Sequence, residues 1–134
     1  MTDTTATSTD AFAGWSQDRI DELNANRTNG HVGSKLVSET DRVRVWHLKI
    51  PPYSRFGFHA HVLNYFWTAL VDGQGRSHYS NGAVKNVTYK AGDTKHLEFA
   101  EGEGMQHDLE NTSDSDLVFV TVEFKDSPNA PLSL

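Results

Sequence analysis

Short runs in which apolar and polar residues alternate are the feature that most constrains this chain. From about residue 35 onward apolar positions recur every second residue, most clearly in residues 42–50 and 117–124. That period is typical of β-strands with one buried face. Turn-forming pairs such as Pro51-Pro52 and Asn81-Gly82 separate the runs. We therefore predict an all-β domain folded as an antiparallel sandwich or barrel.

The pattern also predicts individual elements. Ser16 is placed to cap a short helix that runs from Trp15 to about Asn24. Residues 72–75 are predicted to form a turn, and Asn81-Gly82 a two-residue hairpin turn. The predicted strands are 42–50, 55–61, 65–71, 77–80, 84–90, 95–99 and 117–124, with a short strand around Leu109. Residues 1–14 are predicted to be a disordered N-terminal tail, and 15–134 a single domain.

Charge and composition exclude several classes of partner. The formal net charge is −6, and no block of Lys or Arg appears. We therefore expect no binding to nucleic acid or to an anionic membrane. The chain has no cysteine, which excludes disulfides and thiolate ligands. The polar N-terminus has no apolar segment typical of a secretory signal, so we predict a cytoplasmic location.

Three histidines are candidate metal ligands. His59 and His61 lie two residues apart on a predicted strand, so their side chains point to the same face, with Cα atoms roughly 7 Å apart. His107 lies in a later segment rich in turn residues. Three neutral imidazoles leave coordination positions open for a substrate. The alternative is that the histidines are exposed polar residues at the end of a strand.

These histidines and the glycines around them resemble the two sequence motifs of the cupins. Gly57 and the His59-Ala60-His61 triplet, closed by Gly73, match the first motif. Gly92 opens the second motif, and His107 and Asn111 close it. The glutamate slot of the first motif falls at Phe66, beside Tyr65, and Gly102 replaces the motif proline. The resemblance covers roughly residues 35–125 and implies a double-stranded β-helix, or jelly-roll barrel.

The resemblance also implies a function. A cupin with His59, His61 and His107 would bind a divalent metal ion, with Fe2+ as first choice and Zn2+, Mn2+ or Ni2+ as alternatives. Glutamate-free three-histidine sites are similar to those of Fe(II) dioxygenases that act on thiols or diketones. The leading hypothesis is a metal-dependent enzyme of that type acting on a small, oxygen-bearing, anionic substrate. The alternatives are a redox-neutral lyase, isomerase or cyclase, a non-catalytic module that binds a metal or small ligand, and a metal-free barrel.

Three further residues are candidate catalytic groups. Arg55 shares the alternation of His59 and His61, so it could point into the cavity and pair with a substrate carboxylate. The favoured alternative is a surface arginine near the mouth of the barrel. Tyr65 could act as an acid, a base or a substrate anchor, although parity favours a packing role. Glu123 could replace the missing ligand or act as a general base with a raised pKa if its strand face lines the cavity.

Aromatic residues are expected on the faces opposite the ligands. They are Phe56, Phe58, Tyr65 and Trp67. Such a surface would require sheet packing or a homodimer, and small cupins are commonly dimers. Among the other histidines, His47 is a candidate core residue because it alternates with valines. Asp108, Glu110 and Asn111 flank His107, and one of them could orient an imidazole from outside the site, although Asn111 could instead stabilise a turn.

Overall fold

The computed structural model describes residues 11–134 and shows nine β-strands and one helix in that part of the chain. The elements are α1 (Gln17–Ala25), β1 (Lys35–Glu39), β2 (Val43–Ile50), β3 (Arg55–His61), β4 (Tyr65–Ala69), β5 (Gly73–His78), β6 (Val84–Tyr89), β7 (Thr94–Leu97), β8 (Met105–Asn111) and β9 (Leu117–Phe124). The all-β prediction is confirmed. The bounds of β3 and β9 are those predicted.

Two antiparallel sheets form the barrel. The five-stranded sheet has the order β1-β2-β9-β4-β7, and the four-stranded sheet has the order β3-β8-β5-β6. Apolar side chains from both sheets meet between them and form the core, which is an arrangement typical of a jelly roll. The buried core residues are Leu48, Ile50, Ala69, Tyr89, Leu109, Leu117 and Phe119.

The prediction of a turn at residues 72–75 is wrong. Gly73 and Gly75 lie inside β5, where close packing excludes a side chain. A Cβ at Gly73 would lie 2.5 Å from Cδ2 of the buried Leu117, and one at Gly75 would lie 2.9 Å from Cδ1 of Leu109. These glycines therefore mark close approach to the core rather than a change of chain direction.

Helix α1 covers the outer face of the four-stranded sheet. Its N-cap is Ser16, as predicted, and the Ser16 hydroxyl accepts a hydrogen bond from the backbone N–H of Arg19 at 3.1 Å. Just before the helix, Trp15 stacks on Phe58 of β3 with ring centroids 6.0 Å apart. Phe58 is consequently buried.

A β-bulge in β3 changes which residues face inward. Phe56 pairs with Leu109 of β8, and the next pair joins His59 to His107. Three steps along β3 therefore match two steps along β8, so one extra residue is accommodated. The alternation of faces is reversed across this bulge. Simple alternation counted back from His59 therefore assigns the residues before the bulge to the wrong face.

Part of the predicted tail, residues 1–10, lies outside the described residues. Residues 11–14 form turns, and the backbone N–H of Trp15 donates a hydrogen bond to the carbonyl of Phe12 at 3.0 Å. Within residues 11–134 no helix has the length and apolar character needed to cross a bilayer.

Candidate metal centre

His59, His61 and His107 come together on the inner face of the four-stranded sheet. His59 lies directly opposite His107 in the pairing of β3 with β8, and His61 follows two residues later on the same face. One ring nitrogen from each histidine lies within 4.8 Å of the other two. The strands therefore bring together two segments that are 46 residues apart in sequence.

Burial keeps the three imidazoles neutral. It lowers the pKa of His59 to about 4 and the pKa values of His61 and His107 well below 6.5. The neighbouring histidines add to the effect on His61, because each would repel a second positive charge. A neutral imidazole has a free lone pair, which is the form that binds a metal ion.

The spacing of the nitrogens fits a divalent metal ion. The Nε2 atoms of His61 and His107 are 3.2 Å apart. Two nitrogens that each bind an ion at about 2.1 Å are separated by roughly 3.0 to 3.4 Å when the angle between the bonds is about 90 to 110°. The Nδ1 atoms of both residues are buried and have no hydrogen-bond partner within residues 11–134.

The ligand rings are oriented mainly by packing. His59 is the exception, because its Nδ1 lies 2.8 Å from the carbonyl oxygen of Gly57. A carbonyl can only accept, so Nδ1 of His59 carries the proton and Nε2 is free to bind a metal. Tyr65 stacks on His61 with ring centroids 4.2 Å apart, and Tyr79 lies 5.4 Å from His107.

A cavity of about 310 Å³ lies between the sheets in front of the histidines. Its walls are largely aromatic and aliphatic, with contributions from Trp67, Tyr89 and Phe119. Among the described residues no carboxylate lines it, and its only permanently charged groups are Lys85 and Lys95. The volume suits a small organic molecule, and its apolar walls suit an apolar body.

Comparison with solved structures identifies the fold. A cupin domain from Bordetella pertussis superposes with a TM-score of 0.60 and 24% identity, covering 68% of this chain and 90% of that one. A double-stranded β-helix protein from Klebsiella pneumoniae gives 0.54 and 25%, covering 73% and 81%. This chain has the cupin fold. A third cupin, from Methanocaldococcus jannaschii, gives 0.52 and 17%, covering 65% and 73%.

Comparison of sequence alone finds less. No protein-family model and no curated protein matches the chain. The cupin resemblance of the sequence is thus supported by structural likeness and by the histidine cluster.

Arg55 does not point into the cupin cavity, contrary to the parity expectation. Its guanidinium makes two hydrogen bonds to Glu22 of α1, at 2.8 and 2.7 Å, and one to Asp108 at 2.6 Å. These contacts lie outside the barrel, between the helix and the four-stranded sheet. The reason is the bulge between Phe56 and His59, which reverses the side-chain alternation.

Tyr65, rather than Phe66, occupies the inward position next to the ligands. Phe66 packs on the outer surface against His96 and Phe124, at 5.2 and 6.1 Å between ring centroids. The buried Tyr65 lines the cavity and stacks on His61. The expectation that Tyr65 faces away is therefore wrong, and the inward residue at the glutamate slot is a tyrosine. Burial raises its pKa above 10.

Glu123 lies on the inner face of β9 but is not one of the clustered ligands. It is buried, and its carboxylate accepts a hydrogen bond from the indole N–H of Trp46 at 2.7 Å. Burial raises the pKa of Glu123, as its position on the inner face predicts. The carboxylate lies outside the residues that line the cavity.

The expectation that the aromatic residues lie on the faces opposite the ligands holds for Phe58 and is wrong for Phe56, Tyr65 and Trp67. Phe58 is covered by Trp15, Phe56 packs against the core and lies 4.9 Å from the ring of His59, and Tyr65 and Trp67 line the cavity. The bulge accounts for Phe56, which precedes it. A homodimer therefore has no support from these residues.

Two other histidine expectations need correction. His47 is exposed on the outer face of β2 and is not a core residue. Asp108 is fully buried but binds the backbone N–H and the ring Nδ1 of His78, at 2.6 and 3.1 Å, rather than a ligand imidazole. Asp108 therefore fixes β5 to β8 behind the site.

Sequence reasoning missed three residues that line the cavity. Tyr79, Lys85 and Lys95 belong to segments whose alternation gives no sign of which face is inside. Lys85 and Lys95 are brought to the cavity by β6 and β7, the edge strands of the two sheets, and no sequence signal marks them.

Proposed function

We propose that this cupin is a metal-dependent enzyme that acts on a small oxygen-bearing molecule, and that it belongs to the three-histidine Fe(II) dioxygenase type. The observation that carries the proposal is the convergence of three neutral imidazoles, those of the buried His59 and His61 and the half-buried His107, at the wall of a largely apolar cavity. Three ligands leave positions for a chelating substrate and a second reactant. Fe2+ is the first choice of ion, and Zn2+, Mn2+ or Ni2+ are alternatives.

Charge favours a substrate that binds as an anion. Three neutral imidazoles do not offset the charge of a divalent ion, and no carboxylate among the described residues lines the cavity. An enolate or carboxylate bound at the site would supply that missing negative charge. When bound, the ion would supply Lewis acidity and, if it is iron, the one-electron chemistry that dioxygen requires.

The lack of a carboxylate in the cavity lining, within residues 11–134, is the reason we rank a dioxygenase above a lyase or isomerase. Those redox-neutral reactions generally need a group that takes up and returns a proton near neutral pH. The cavity tyrosines Tyr65 and Tyr89 have pKa values raised by burial, that of Tyr89 to about 12. Glu123 lies outside the lining and is held by Trp46. The chain's own contribution is to bind, orient and shield the substrate.

The test uses protein loaded with Fe(II) under anaerobic conditions. Oxygen uptake is measured after addition of pentane-2,4-dione or a small thiol such as cysteine. We expect oxygen uptake to accompany loss of substrate in the wild type, and both to disappear in His61→Ala. The exposed His47 provides the matched control, because His47→Ala should retain the activity.

Other outcomes identify the alternatives. Substrate conversion that proceeds equally well without oxygen would indicate a Lewis-acid enzyme. No turnover of either class, with a tightly held metal, would indicate a non-catalytic binding module. A homodimeric state and a cytoplasmic location stay predictions, and a size measurement in solution tests the first.

A further inference from the structure

Two lysines border the opening of the cavity from opposite sides. Lys85 belongs to β6, the edge strand of the four-stranded sheet, and Lys95 belongs to β7, the edge strand of the five-stranded sheet. Both line the cavity in front of the histidines, and both remain exposed to solvent. Their ammonium groups are therefore available to a molecule that enters.

The two lysines differ from most other lysines of the chain in having no acidic partner among the described residues. Lys49, Lys90 and Lys125 each lie within 4.0 Å of a carboxylate. Within residues 11–134 neither Lys85 nor Lys95 makes such an ion pair. No carboxylate among residues 11–134 lines the cavity either, so none in its lining offsets the positive charge of the two lysines.

Lys85 is held in a defined place relative to the metal ligands. Its Nζ lies 5.1 Å from the centre of the Tyr79 ring, and that ring lies 5.4 Å from the ring of His107. The ammonium is thus at most 10.5 Å, the sum of these two distances, from the His107 ring. The contact with an aromatic face restrains the lysine without neutralising its charge.

We propose that Lys85 and Lys95 bind a carboxylate of the substrate at the end remote from the metal. The substrate would then have metal-chelating oxygens at one end, an apolar body against the aromatic walls and a carboxylate at the other end. The metal end of this description rests on the proposed function. The carboxylate end rests only on the lysines, and the two can be tested separately.

The test compares an acid with its neutral ester. The probes are 4,6-dioxoheptanoate, a β-diketone with a distal carboxylate, and its methyl ester, and binding is measured by calorimetry on Co(II)-loaded protein. We expect the acid to bind more tightly, and Lys85→Met and Lys95→Met each to weaken its binding roughly fivefold at low ionic strength, as for exposed ion pairs. Binding of the ester should be unchanged.

Control variants distinguish an effect of the lysine charge from an effect on the structure. Lys35→Met removes an exposed lysine of β1 that does not line the cavity, and it should leave the preference for the acid intact. Lys85→Arg should retain the preference because the charge is kept. Raising the salt from about 20 mM to about 200 mM should reduce the preference, since exposed charges are screened.

The outcomes distinguish the two proposals. Equal binding of acid and ester, binding of neither, or an unchanged preference in the Lys85→Met/Lys95→Met double variant would overturn the inference. A preference for the acid that depends on the lysines but not on Co(II) would support the inference and contradict the proposed metal function. Metal uptake by the double variant should equal that of the wild type.

Discussion

Arg55→Met should destabilise the fold because it breaks a partly buried network of ion pairs behind the metal site. Arg55 joins Glu22 of the helix to Asp108 of β8, and it is the only residue among the described ones that pairs with both. Asp108 is fully buried, whereas the Arg55 side chain is 26% exposed. Removing the guanidinium leaves the Asp108 carboxylate with hydrogen bonds from His78 alone.

The magnitude follows from burial. Breaking a buried ion pair from one side typically destabilises a protein by about 3 to 5 kcal/mol. Arg55 is partly exposed and water can replace some of its contacts, so we expect about 3 kcal/mol. For a domain of this size that lowers the Tm by about 10 °C. The matched control is Arg76→Met on β5, whose contact with Glu110 is longer, at 3.4 Å, and more exposed, and which should change stability by less than about 1 kcal/mol.

The assay is urea and thermal unfolding followed by circular dichroism. Adding Asp108→Asn to the Arg55→Met variant should recover part of the lost stability, because it removes the unpaired buried charge of Asp108. Arg55 lowers the pKa of Glu22 below 4.5, so this part of the stabilisation is present above pH 4.5 and is lost as the pH falls. The gap between wild type and Arg55→Met should therefore narrow in acid. Wild-type stability in Arg55→Met, together with weakened substrate binding, would refute this reasoning.

Three further substitutions test other contacts. Tyr65→Phe keeps the ring that stacks on His61 and should retain metal affinity. Tyr65→Leu removes the ring and should lower metal affinity roughly tenfold, as for other groups that orient a ligand. Equal metal affinities of the two variants, measured by chelator competition, would contradict a positioning role for Tyr65. Glu123→Gln removes a carboxylate whose pKa is raised by burial. The variant should therefore be more stable than the wild type above about pH 4.5 and lose that advantage in acid. A stability gain that does not depend on pH, measured by urea unfolding, would contradict this expectation. Gly75→Ala places a Cβ 2.9 Å from Leu109 and should destabilise the fold by about 1 to 3 kcal/mol in the same assay, while the exposed Gln74→Ala should have little effect.

The fold could be predicted because several kinds of local evidence agreed. Alternation predicts β2 and β9, an apolar run predicts β3, and the histidine spacing indicates the barrel. The error at residues 72–75 arose because glycine has two uses, in turns and at points of close packing. Only the packed structure shows that Gly73 touches Leu117.

The site could be predicted in part. Strand alternation and motif spacing predict the three histidines. The positions of the surrounding residues depend on features that alternation does not predict. The bulge before His59 moves Arg55 outside, and the turn between β3 and β4 places Tyr65 inside. Lys85 and Lys95 line the same cavity only because the two sheets close against each other.

The metal content of the purified protein decides whether His59, His61 and His107 form a metal site. Protein is purified, stripped with a chelator, reloaded with Fe(II) or Zn(II), desalted and analysed by elemental mass spectrometry. We expect about one ion per chain in the wild type and in His47→Ala, and less than about a tenth of that in His59→Ala and His107→Ala. Wild-type metal content in both of these variants, or no uptake by the wild type, would contradict it.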